Sequence, residues 1–87
     1  MALLLKIIEV EWEDASGGHY WDTAESLSKE RIYIVKTVGY VVRDDDEYVI
    51  LVQCVDNNKD GASVSGHMRI PRAYIRSSRV MRKGTLL

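Results

Sequence analysis

RIYIVKTVGYVVRDDDEYVILVQCV, residues 31–55, is the stretch that decides the fold. Residues 31–43 are dense in β-branched and aromatic side chains and contain no proline, which predicts a long strand. Gly39 inside it marks a bend, a bulge or a close backbone approach. YVILVQCV at 48–55 predicts a second, near-continuous apolar strand. DDDE at 44–47 joins the two at hairpin distance, and aspartate both tolerates turn conformations and charges the tip against edge pairing. Four acids could recruit a hard cation, but consecutive residues splay apart and no glycine sets up a calcium loop. The solvated turn is the reading adopted.

The pattern outward from this hairpin is also β. Ile8, Val10 and Trp12 alternate with Glu9, Glu11 and Glu13, the period of a half-buried strand. Polar and glycine residues at 14–22 end it. DTAESLSKE at 22–30 predicts a helix of at most two turns, with Asp22 or Thr23 as N-cap and capping-box spacing from Asp22 to Glu25. DNNKDGAS at 56–63 reads as a turn, and 64–70 as a strand stopped by Pro71. PRAY at 71–74 fits one 3₁₀ turn. A final strand at 74–82 has a blurred pattern that predicts a bulge, and 82–87 reads as a loose tail. The expectation is one domain over residues 1–87: a mainly β, small five-stranded antiparallel barrel with one short helix after its first strand.

Composition narrows the class. Hydrophobic residues are 46% and charged residues 29% of the 87, a folding balance. The single Cys54 excludes an intrachain disulfide and falls in an apolar stretch, so it is expected as a buried small hydrophobe. Lys6 interrupts the apolar N-terminus MALLLKIIEVEW, so a signal peptide is not expected and a cytoplasmic location is. Charge is uneven: all 13 acids lie in residues 1–60, whereas 61–87 hold no acid and six bases, Arg69, Arg72, Arg76, Arg79, Arg82 and Lys83. Either acidic and basic strands pair within one sheet or between subunits, or the C-terminal third presents a basic surface to an anionic partner.

DASGGHYWD at 14–22 is the candidate binding loop. Tyr20 or Trp21 either caps an open barrel end or offers a stacking platform for a base, beside His19. Trp12 is expected in the core. Asp14, His19 and Asp22 make a poor metal set, since a zinc site needs rigid ligands with supporting partners. No serine stands in a nucleophile elbow, and GASVSG at 61–66 lacks the Lys-Ser/Thr ending of a phosphate loop. Binding is therefore expected rather than catalysis, with no cofactor and no metal. Arg69, Arg72 and Arg76 are the expected phosphate holders, because guanidinium is a planar fork suited to that group.

The strand order with a 3₁₀ turn before the last strand resembles the Sm-like and Src-homology barrel architecture. RIPRAYI at 69–75 is similar in spacing to the second Sm motif, with Ala73 where that motif has glycine. GYVVRDDDEYVIL at 39–51 has no counterpart of the base-reading residues of the first motif, and the helix follows the first strand rather than preceding it. VEWEDA at 10–15, Trp21, TVGYVV at 37–42 and IPRAYI at 70–75 resemble a family of small uncharacterised proteins of tailed bacteriophages. That resemblance implies a phage origin, a barrel and a host-cytoplasmic location. The functional expectation is a homo-oligomer that binds an anionic nucleotide species: RNA, as an Sm-type ring does, or a nucleotide immune messenger, as an anti-defence sponge. The alternatives are a module that binds and inhibits a host protein, and a minor virion component.

Overall fold

A computed structural model describes residues 3–14, 21–58 and 61–86. Their elements are β1 (Leu3–Leu4), β2 (Ile7–Asp14), α1 (Ala24–Ser28), β3 (Tyr33–Asp44), β4 (Tyr48–Val52), β5 (Cys54–Asn58), β6 (Gly61–Ser65), β7 (Met68–Pro71), a 3₁₀ turn (Arg72–Tyr74), β8 (Ile75–Arg82) and β9 (Thr85–Leu86). The main sheet is antiparallel with strand order β7-β4-β3-β2-β8.

Period-two alternation in β2 puts Ile8 and Val10 on one face, where they are buried with Val49, Leu51 and Ile70; Trp12, Val41 and Ile75 pack against them. Trp12 is half-buried rather than sealed, and its indole Nε1 donates to Thr37 Oγ1 at 3.0 Å. Gly39 stands opposite Ile8 and serves the close approach: a Cβ there would lie 3.0 Å from Leu51 Cβ and 3.0 Å from the Val52 carbonyl oxygen.

The expected closed barrel does not form. Among the described residues β7 pairs only with β4, and β8 only with β2, so both are free edges. β7 has four residues and ends in Pro71, which brings no N–H to a further ladder. The sheet is nevertheless coiled. Laid flat, five strands would hold their edges ~19 Å apart, whereas the 3₁₀ turn joining β7 to β8 spans only ~6–8 Å at ~2 Å per residue. That turn lies where PRAY predicted it. The expected irregularity in the last strand is present twice, at the register shifts that leave Arg76 and Met81 as extra residues.

DNNKDGAS is mostly ladder rather than turn, because Asp56 to Asn58 pair with Ser63 to Gly61. β4–β7 and β5–β6 share one register, so residues 48–71 form a single long hairpin kinked at Gln53 and Gly66. Gly66, at φ +69°, is in the left-handed region that favours glycine. The outer half of this hairpin is an arm with no core of its own, and Cys54 is exposed on it, contrary to the expected burial. Its neighbours explain this: Cys54 lies beyond the kink, past the last residue of β4, and so past the sheet that buries Leu51 and Val52.

Helix α1 is capped by Thr23, whose Oγ1 accepts from the Ser26 N–H at 3.0 Å; Asp22 accepts from the Thr23 N–H instead of forming a capping box. None of its residues is buried, and Leu27 is 53% exposed. Thr85–Leu86, within the segment read as a loose tail, pairs with Leu3–Leu4. Among the described residues no helix is long and apolar enough to cross a membrane.

Candidate functional site

His19 and Tyr20 lie outside the described residues. Trp21 is 102% exposed and so caps no end of the sheet. The helix that follows it buries nothing, so no packing draws the indole inward.

The three arginines expected to act together have different surroundings. Arg72 is held by the β3–β4 turn: its guanidinium forms an ion pair with Asp44, its Nε donates to the Asp45 carbonyl at 3.0 Å, and its backbone N–H donates to the Glu47 carbonyl at 2.8 Å. These bonds fasten the 3₁₀ turn to the sheet. Arg69 lies over the Tyr48 ring at 5.8 Å, and Arg43 lies over the same ring at 5.3 Å. Such exposed cation–π contacts are worth about 0.5–1 kcal/mol each. Arg43 also pairs with Asp45. Arg69 and Arg76 have no carboxylate partner among the described residues.

Asp45 organises this turn. Its carboxylate takes the Arg43 guanidinium and the backbone N–H groups of Tyr48 and Glu47, which together hold its pKa down at about 2. Arg43 is raised in return, chiefly by the same hydrogen bond. DDDE is thus a hydrogen-bonded turn in which Asp44 and Asp45 are committed to Arg72 and Arg43. Among the described residues no three His, Cys, Asp or Glu side chains gather as a metal site.

The expected pairing of acidic and basic strands is present in part. Glu9 stands opposite Arg79 with 3.5 Å between their charged groups, whereas Glu11 stands opposite Ser77. Arg82 donates to the Leu5 carbonyl and lies over the Tyr40 ring at 5.6 Å.

The larger cleft, about 350 Å³, opens where β2 ends, β3 begins and α1 approaches the 3₁₀ turn. Leu27, Ile32, Tyr33 and Tyr74 give it apolar and aromatic walls, but Glu13, Asp14 and Glu30 outnumber Arg31 at its rim. A phosphate entering there meets the wrong sign of charge. A smaller hollow of about 200 Å³ sits at the root of the arm, beside Gln53, Gly66, His67 and Met68.

Residue reasoning missed the outer face of β3. The register sets Ile34, Val38 and Tyr40 on the side away from Ile8 and Val10, and Val38 remains 50% exposed at the centre of the sheet. The signal was present in residues 31–43. A strand with one wet face should alternate, and a near-continuous apolar run predicts cover on both faces. Compared with known protein families, curated proteins and solved structures, the chain matches nothing.

Proposed function

We propose that this protein is a non-enzymatic, self-associating β-sheet interaction module, and that the outer face of β3 is where copies meet. One observation carries the reading: the chain exposes 7000 Å², against about 5,200 Å² for a compact monomer of its mass. The excess is roughly what a standard interface removes from one or two sides of a protein. Ile32, Tyr33, Ile34, Val38 and Val42 are exposed apolar side chains of one stretch, and Ile34 and Val38 among them lie on that outer face. Burial of such side chains is the usual driving force of association.

The strand order, a four-strand meander with the last strand returning to the first, is the one that the Sm-like and Src-homology resemblance implies. It supports a half-open member of that architecture. A second reading, capture of an anionic nucleotide species, is favoured by Trp21 standing free and by Arg69 and Arg76 lacking carboxylate partners among the described residues.

Sedimentation velocity separates the two. Val38→Glu is expected to convert the oligomer to monomer with its β-sheet circular dichroism retained, and added salt is expected to leave wild-type association nearly unchanged. A wild-type chain that sediments as a monomer at all concentrations overturns the first reading. Retention of RNA that falls steeply with salt supports the second.

A further inference from the structure

We propose that the free edge of β8 docks an extended segment of another polypeptide with alternating acidic and apolar residues, added as a sixth strand. This rests on the reading of the protein as an interaction module and names the chemistry of a partner at a surface separate from the β3 face.

β8 is eight residues long, and among the described residues only β2 pairs with it. Its other edge is a row of unpaired backbone donors and acceptors, the ordinary template for strand addition. Register assigns its faces. Ser78 and Val80 stand opposite Val10 and Ile8, both buried, so they lie on the core side; yet Val80 is 54% exposed. The core layer therefore stops one strand short of cover, and an apolar residue on the next strand would complete it. Ser77 and Arg79 lie on the other face with Glu11 and Glu9. Arg76, the extra residue of one bulge, is exposed and has no ion pair among the described residues.

β2 already shows which neighbour suits β8. It carries Ile8 and Val10 toward the core and Glu9 and Glu11 away from it, with Glu9 paired to Arg79. A strand of the same alternation on the vacant side meets the same complementary groups. Among the described residues a second copy offers nothing equivalent: the free edges of its five-stranded sheet are β8, with three arginines, and β7, with Arg69 and Pro71, and its two-stranded sheets bring one acid between them, Asp56 in β5. Like charges on neighbouring strands are destabilising and proline withholds a ladder N–H. An edge of one sign thus rejects the main-sheet edges of its own copies while admitting an acidic strand.

The test uses full-length protein and a labelled, N-acetylated octapeptide of alternating valine and glutamate, followed by fluorescence anisotropy. Saturable binding is expected. It should weaken at least tenfold with lysine in place of glutamate, with the alternation scrambled at constant composition, and with the peptide N-methylated at every second residue. Arg76→Glu should weaken it as strongly, with circular dichroism and sedimentation unchanged. Equal binding of the N-methylated or scrambled peptide reduces the contact to charge attraction and overturns the proposal, as does absence of binding. Self-association lost by Val38→Glu while peptide binding persists leaves both readings standing. A wild-type monomer that binds the peptide removes only the β3 interface, and an oligomer that ignores it removes only the β8 edge.

Discussion

Asp45 and Gly39 show how single residues set the central hairpin. The Asp45 carboxyl titrates near 2 in the folded chain against an ordinary 3.8, so folding favours its ionised form. That stabilisation is complete above about pH 4 and is lost as pH falls through 2. Urea midpoints measured at pH 5 and pH 2.5 should therefore draw together in Asp45→Ala, relative to the wild type. An unchanged difference would place the acid sensitivity in other carboxylates. Gly39→Val adds a β-branched side chain that strands favour by up to about 1 kcal/mol. The clash with Leu51 and the Val52 carbonyl opposes it, and overpacking typically costs about 1–3 kcal/mol. Packing should win, with a net loss visible in equilibrium unfolding. Sequence reading gave Gly39 three possible roles; selecting the close approach required the position of β4, a contact between residues twelve apart.

Among the elements, those with strong local patterns were legible. The alternation of residues 8–13, the break at Pro71 and the 3₁₀ turn after it each follow from a few adjacent residues. The segment 56–63 misled because Asp, Asn and Gly mark turns wherever they occur, and here all but Lys59 and Asp60 fall in β5 and β6. Cys54 misled for a related reason: an apolar stretch predicts burial only as far as the sheet that covers it extends. The arm beyond Gln53 adds few apolar contacts, and an isolated two-stranded ribbon is marginal in water. Cys54–Ser65 holds the same place in ladder alternation as Asn58–Gly61, four residues away. Replacing residues 55–64 by Asn-Gly should therefore leave global stability within about 1 kcal/mol, as an exposed hairpin end turns tightly on that pair. Loss of cooperative unfolding would show that the arm belongs to the core unit.

The whole molecule is extended, with a radius of gyration of 16.8 Å and a long axis of 56 Å, where a compact chain of this length gives about 12 Å. The long hairpin accounts for much of this, since eleven residues of strand reach about 35 Å. So large a surface on a small core predicts that stability depends on protein concentration. Thermal midpoints should rise over a hundredfold increase in wild-type concentration and stay level in Val38→Glu. A flat response in both would detach stability from association.

By itself the sequence determined the β class, the positions of its main strands, the 3₁₀ turn and the segregation of acids from bases, because period, turn chemistry and charge are local properties of the chain. Tertiary structure alone decided that the sheet stays open at β7 and β8, that Arg72 is committed to Asp44, and that Trp21 stands in solvent. Each of those outcomes depends on which distant residues become neighbours, and register and coiling, not composition, set that.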